Sequence, residues 1–465
     1  MRLMQGAQQS VQWYWQVGLR ERKWRLATAC ALLALLLLVA EELLLLIPLS
    51  EHVAMLPARA SAWAAAGAPP VRSECAPCGC ARGWGEALAA AFAPACISDA
   101  ELGALAASDR GPQGAAAAAQ AAALEQRIAP HATSVEACHG ILAELHASSS
   151  SSAAAPAAAA PPAPAGSGGR LFHMYWKPDT VAGFHAVHAA VVESWLVSQP
   201  EEAVLVFWVP VPQAPPSVLL PLVRAFPARL RIRALDILWE ARGSPVENSF
   251  MLRLTDKHSW IDGDFARLVL LWRYGGFYMD VDVLMLRDAS PLLASEFYTE
   301  FACWGGANGA VLRLFAGGTT ATGLLRLAAA SPPKRASWMF GPLLLERFRD
   351  THAPASEAAR LRVLPWCFFH GIWCGALPRD GLEGAAPWSR QQLDGVFGLH
   401  LHGAAKEGGA IDRGSIIGTK MVENRAVLVE RLRRAAGAGA GGAAHAEQLA
   451  PLVFARQAPW WVWWK

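Results

Sequence analysis

The chain has 465 residues, with 41 Lys and Arg against 38 Asp and Glu, a formal charge of 41 − 38 = +3. At about 150 residues per domain that is roughly three units, and the near-balance of charge excludes a chain whose main work is neutralising nucleic acid phosphates, so no nucleic acid partner is expected. Charged residues make up only 17% and apolar ones 54%, which excludes a wholly disordered chain and points to a membrane segment, a low-complexity stretch, or both.

In chain order, residues 1–25 read as a cytosolic tail and 26–49 as a signal-anchor transmembrane helix. Leu26 to Ala40 carries no charge, Glu41 and Glu42 interrupt it, and Leu43 to Leu49 resume; 24 residues of helix span about 36 Å. Twelve leucines in that stretch, each contributing about −0.5 kcal/mol, roughly offset two carboxylates at about +3 kcal/mol each at mid-membrane, and Glu41 and Glu42 lie off-centre, where the penalty is smaller. Arg20, Arg22, Lys23 and Arg25 stand on the N-terminal side, a bias that keeps that end cytosolic and places the bulk of the chain in a lumen. A cleavable signal peptide ending near Ala60-Ser61-Ala62 is the competing reading.

Residues 50–169 read as a stalk rich in Ala, Pro and Ser, with short helices over Leu102–Ala107 and Ala115–Ile128 on alanine propensity. Cys75, Cys78, Cys80, Cys96 and Cys138 fall in this stalk, and Cys303, Cys367 and Cys374 fall later. Two odd subtotals allow a bridge from stalk to head or a disulfide-linked dimer. Cys75-Ala76-Pro77-Cys78 lacks the second C-x-x-C that would complete a zinc site.

From Arg170 the pattern turns to alternating strand and helix: strands over Leu171–Trp176, Ala203–Val209 and Leu230–Leu235, helices over Phe184–Ser198 and Ser217–Phe226. That order predicts an α/β head over 170–435 with an open, mostly parallel sheet and ligands at the carboxyl ends of its strands. A Gly/Ala linker and Trp-rich tail close the chain over 436–465. The four tryptophans Trp460, Trp461, Trp463 and Trp464 pack on the head, touch the membrane or bind a lipid tail.

The informative window runs from Asp262 to Leu286. Phe265, Leu268, Val269 and Trp272 recur at helical spacing, Asp262 or Asp264 caps the helix, and Gly275 or Gly276 stops it. Phe277 to Leu286 then reads as one buried strand interrupted by Asp280 and Asp282. Two residues apart in an extended chain, those carboxylates point to the same side, where they can hold a hard divalent cation. Without a partner, burying them among Phe277-Tyr278-Met279 and Val283-Leu284-Met285-Leu286 costs several kcal/mol or more; solvated acids at a strand end are the bland alternative. Asp264 and Arg267, three apart, share a helix face, as a surface pair or as a grip on sugar hydroxyls and a phosphate oxygen.

This helix, Tyr-Gly-Gly, strand and D-x-D block resembles the glycosyltransferases with a DXD sugar-binding region, a family that includes lactosylceramide 4-alpha-galactosyltransferase, fungal Golgi alpha-1,6-mannosyltransferases and large glucosylating bacterial toxins. The interval from Asp264 and Arg267 to Asp280 and Asp282 fits the family's pattern. Asn308-Gly309-Ala310, Gly341-Pro342 and Leu364-Pro365 are similar to further stations. The resemblance implies a GT-A, Rossmann-like head that uses a nucleotide-sugar donor and Mn²⁺ (or Mg²⁺), with retention of anomeric configuration. It further implies that Asp280 contacts ribose or metal, that Asp282 binds metal, and that Asp264 and Arg267 hold the donor sugar, with Asn308 at the donor site. Trp176, ending the first strand, stacks on the base or belongs to the core. His400 completes the metal shell or contacts diphosphate, or else pairs with His402 as a structural histidine. Gly263 stands where serine is usual, and His402-Gly403-Ala404 where an aromatic and asparagine are expected.

The expected activity is therefore transfer of a hexose from a UDP- or GDP-hexose to a glycolipid or glycoprotein glycan, by a single-pass type II protein of the Golgi membrane. An inactive lumenal carbohydrate-binding or scaffold relative is the alternative. A glycoside hydrolase needs two acids on opposite sides of a bond, which a D-x-D pair does not supply.

Overall fold

A computed structural model of the chain describes residues 84, 86–109, 134–141, 143, 170–178, 183–301, 306–333, 339–352, 361–371, 393, 395–401, 413 and 415–437, all within the unit Arg72–Lys465. In chain order they form α1 (Glu86–Phe92), α2 (Asp99–Ser108), β1 (Leu171–Tyr175), α3 (Ala186–Ser198), β2 (Val204–Pro210), α4 (Leu220–Ala225), β3 (Leu230–Leu235), α5 (Ile237–Glu240) and α6 (Trp260–Tyr274). There follow β4 (Gly276–Met279), β5 (Val283–Met285), β6 (Phe297–Phe301), β7 (Gly306–Leu314), α7 (Thr319–Ala330), α8 (Phe340–Thr351), β8 (Arg362–Leu364), β9 (Gly398–His400) and α9 (Ile416–Gly437).

The main sheet has the order β3-β2-β1-β4-β7-β6-β8. Its β3–β2, β2–β1, β1–β4 and β6–β8 neighbours run parallel, while β4–β7 and β7–β6 run antiparallel. The expected mostly parallel α/β sheet is present, with antiparallel strands inserted on one side of β4. Both faces are apolar, as in a sheet covered by helices on each side. Alternate residues enforce this: Phe172, Met174, Leu205, Phe207, Phe277 and Met279 join one core with Trp195 of α3, while Leu171, Tyr175, Val206, Trp208 and Tyr278 join the other with α6, α7 and α8.

α6 ends where the Tyr-Gly-Gly sequence says it should. Gly275 takes φ +66° and Gly276 φ +100°; a Cβ on Gly276 would lie 2.7 Å from the Leu171 carbonyl oxygen. Only glycine allows the chain to leave the helix and enter β4 this close to β1. His173, wholly buried under this turn, bonds to the Gly275 carbonyl through Nε2 at 2.9 Å and accepts the Trp208 indole N–H on Nδ1 at 3.1 Å. Burial pushes its pKa down to about 4, so the ring is neutral.

Two pieces of the segment assigned from sequence to a stalk are packed into the head. Trp84, Phe92, Cys96 and Cys138 belong to one core, and Ile97, Leu102 and Ala106 to the other. Cys96 makes a parallel bridge to Ile232 on the edge strand β3, and Arg233, fully buried on that strand, reaches Asp99 and the Ile97 carbonyl. Asp109 accepts a two-pronged bond from Arg313 of β7, Nη2 to Oδ1 at 3.1 Å. The alanine excess hid a few large apolar residues and acids that meet partners far along the chain. Cys138 is disulfide-bonded to Cys367, which realises a bridge between the stalk region and the head.

No helix among the described residues is long and apolar enough to cross a membrane. The proposed span 26–49, the helix Ala115–Ile128, the remaining cysteines other than Cys96, His402 and the tryptophan tail lie outside the described residues.

Candidate functional site

A cleft of about 380 Å³ opens at the carboxyl ends of β1 and β4, the place ligands occupy in open α/β sheets. Every residue singled out from the sequence as a site residue lines it: Trp176, Asp264, Arg267, Asp280, Asp282, Asn308 and His400.

The D-x-D acids reach it by a route other than the expected single strand. Phe277 to Leu286 is two short strands, β4 and β5, joined by a turn at Asp280 to Asp282. The Asp280 N–H donates to the Ala310 carbonyl on β7 at 2.8 Å, and the Val283 N–H closes the turn on the Asp280 carbonyl at 3.1 Å. The carboxylates converge because the chain bends around them, while β5 leaves the main sheet to pair with β9. That antiparallel pairing sets Val283 opposite His400, and the Leu401 N–H donates to the Asp282 carbonyl at 2.8 Å. His400 is thereby placed next to the acids, its Nε2 3.3 Å from Asp282 Oδ1.

Asp280, Asp282 and His400 each offer a ligand atom, and these atoms all lie within 4.8 Å of one another. Two carboxylates and an imidazole form a donor set suited to a hard or borderline divalent ion, and the cleft leaves room for further oxygen ligands. Burial raises the Asp280 carboxyl above its ordinary value; Arg267 opposes that shift and the Asp282 charge adds to it.

Asp264 and Arg267 form no surface pair. Asp264 sits at the start of the second turn of α6, only 5% exposed. The cap is Ser259, with Asp262 tying the entry together: its carboxylate accepts from the Ser259 hydroxyl at 2.8 Å and the Tyr175 hydroxyl at 2.9 Å. The Arg267 guanidinium lies between Asp264 at 3.4 Å and Asp280 at 3.2 Å, over the Tyr278 ring. Burial alone would lower its pKa, but Asp280 and Asp264 outweigh that and raise it. Asp264 is pushed up to about 6 by burial, against the pull of Arg267 and the Gly341 N–H.

Trp176 is 7% exposed and packs against Phe184 and His188, so it serves the core while presenting an edge to the cleft. Asn308 spends its Oδ1 on the Ala310 N–H at 2.7 Å, shaping the part of β7 that lies beside Arg267. Sequence reasoning missed Lys177, His258 and Trp260, which also line the cleft. Lys177 directly follows Trp176 at the end of β1, so the strand-end rule was a signal for it; its amine donates to the Asp256 carbonyl at 2.9 Å. His258 and Trp260 stack at 4.4 Å on the approach to α6, and nothing local marked them.

Residues 190–298 match the family model described as a glycosyltransferase sugar-binding region containing a DXD motif. The match includes Asp264, Arg267, Asp280 and Asp282; Trp176, Asn308 and His400 fall outside it. Among solved structures the chain is similar to the PaToxG glycosyltransferase, at 12% identity and a TM-score of 0.31 over 39% of this chain and 69% of that one. It is similar to the WbbM bifunctional glycosyltransferase in its apo form, at 11% and 0.33 over 55% and 49%. An active-site mutant of LgtC matches at 11% and 0.26 over 55% and 95%. No curated protein sequence matches. The matched segment carries the sequence pattern of a DXD-type glycosyltransferase sugar-binding region, which supports a transferase.

Proposed function

We propose that this glycosyltransferase moves a hexose, galactose- or mannose-like, from a UDP- or GDP-sugar to a glycolipid or glycoprotein glycan, with Mn²⁺ as its metal and with retention of configuration. The observation that carries the reading is the meeting of Asp280, Asp282 and His400 in the cleft that Asp264 and Arg267 also line. Asp280, Asp282 and His400 would hold the ion, which supplies positive charge against the leaving diphosphate.

The protein's own groups then divide the remaining work. Asp264 accepts hydrogen bonds from donor-sugar hydroxyls, and Arg267, fixed between Asp264 and Asp280, presents its forked donors to sugar and phosphate oxygens. Trp176 borders the nucleoside end. Among the described residues the carboxylates lining the cleft are Asp264, Asp280 and Asp282, each engaged with Arg267 or His400. None of them is assigned as a nucleophile, and their engagement favours attack by the acceptor on the face the diphosphate leaves.

A Golgi setting, with a type II anchor over 26–49 and the head in the lumen, is proposed on the apolar run and the Lys/Arg bias before it. The Cys138–Cys367 disulfide suits an oxidising compartment. The test is a panel of UDP- and GDP-hexoses with Mn²⁺, scored for transfer and for donor hydrolysis. One donor should be consumed in a metal-dependent way by the wild type and not by folded Asp282→Asn; undiminished turnover by that variant sinks the reading.

A further inference from the structure

The aspartates of the cation cluster sit on a turn of the main fold, but His400 comes from a strand of three residues, β9. One side of β9 is held by β5. The other is held by the turn Trp366 to His370: the Phe397 N–H donates to the Phe368 carbonyl at 3.1 Å and the His400 N–H to the Phe369 carbonyl at 2.8 Å. The turn is itself closed, the Phe368 N–H donating to the Pro365 carbonyl at 3.0 Å and the His370 N–H to the Trp366 carbonyl at 2.6 Å. Its side chains press on the same strand. Phe368 lies 5.1 Å from Phe397, and the His370 ring meets the His400 ring edge-on at 5.1 Å. His370, fully buried, is in turn fixed by Thr299 of β6, Nε2 to Oγ1 at 3.2 Å. In the middle of the turn stands Cys367, bonded to Cys138 across 229 residues.

We propose that His370 and the Cys138–Cys367 disulfide are positioning elements for the third cation ligand: they hold the turn that sets both the backbone and the ring of His400. The inference rests on the reading of Asp280, Asp282 and His400 as a cation site. Neither His370 nor the disulfide lies within the matched family segment. Groups that orient a metal-ligating histidine from behind are worth 10–100-fold in metal affinity, roughly, when removed. A disulfide serving only to brace the fold would change stability and leave affinity where it was.

The experiment measures Mn²⁺ binding to the full chain by electron paramagnetic resonance, with thermal unfolding in chelator run alongside. His370→Phe keeps a ring against His400 but loses the Thr299 bond; a paired Cys138→Ser and Cys367→Ser variant opens the tether. Both should remain folded and bind Mn²⁺ at least about 10-fold more weakly than the wild type. If the variant without the disulfide does not fold, His370→Phe decides alone. Wild-type affinity in the folded variants overturns the inference. Absence of Mn²⁺ binding in the wild type, or full binding by Asp282→Asn, overturns instead the cation-site reading beneath it.

Discussion

The backbone N–H of Gly341 donates to Asp264 Oδ2 at 2.8 Å, so the first turn of α8 points at a buried carboxylate of the candidate donor site. The fit admits nothing larger than glycine: a Cβ on residue 341 would lie 2.7 Å from the Asp264 carboxyl carbon. In an isolated helix Gly341→Ala would gain about 1 kcal/mol of propensity. Here the collision wins, because overpacking of this kind costs about 1–3 kcal/mol and moves either Asp264 or α8. The variant should fold with an unfolding temperature no higher than wild type and bind the nucleotide sugar more weakly, as calorimetric titration would register. A variant that is more stable and binds normally would show that the contact carries no weight.

Asp264 itself opposes function to stability. Its carboxyl is raised to about 6 by burial, with Asp280 and Asp256 adding to the effect and Arg267 and the Gly341 N–H opposing it. A carboxyl raised from 3.8 favours the fold most when protonated; that advantage is complete below pH 3.8 and disappears as pH rises through about 6. A rise of that size corresponds to about 3 kcal/mol. Asp264→Asn cannot ionise. Measured by denaturant unfolding in chelator, its stability relative to wild type should move in its favour by up to about 3 kcal/mol between pH 4 and pH 7.5, while sugar transfer is lost. A pH-independent difference between the two proteins would contradict this account.

These contacts mark the boundary of what the sequence could disclose. The apolar runs Leu171–Trp176 and Ala203–Val209, the helical spacing of Phe265 to Trp272 and the double glycine are local patterns, and each appears as an element close to its expected limits. The strand Phe277–Leu286 is the instructive failure. Its apolar residues are buried as expected, but in two different sheets, since Val283 to Met285 pair with Gly398 to His400. Hydrophobicity records burial and not which neighbour does the burying. The helix expected over Leu102–Ala107 is present within Asp99–Ser108, but its place against the head depends on long-range partners such as Arg233 and Arg313, which no local pattern shows.

His173 predicts an acid limit of opposite sign to that of Asp264. Burial lowers its pKa from 6.5 to about 4, so the unfolded chain takes up a proton that the folded chain refuses. Stability from this group is complete above pH 6.5 and is lost as pH falls toward 4, by about 3 kcal/mol in all. His173→Leu should flatten that fall. It should also lower stability at pH 7.5 by about 1–3 kcal/mol, because the Trp208 N–H and the Gly275 carbonyl lose their partner. Unfolding curves at pH 7.5 and pH 4.5 for both proteins test the two effects separately; an unchanged acid slope would remove His173 as its source.

Residues 86–109 should prove to be part of the folded head. Arg313 is 1% exposed near the end of β7, and Asp109 is the carboxylate that meets it. Asp109→Ala leaves the guanidinium buried with its Nε bond to the Leu293 carbonyl and without its ion-pair partner. Removing one partner of a buried pair costs about 3–5 kcal/mol, a large part of the total stability of an ordinary domain. A chain beginning at Arg170 loses Asp109 together with Asp99, the cover on the β3 edge and the Cys138 end of the disulfide. Expressed side by side, a chain beginning at Arg72 should give a soluble protein with a cooperative thermal transition, and the chain beginning at Arg170 should aggregate. Equal transition temperatures for the two would mean that residues 84–109 rest on the head without supporting it.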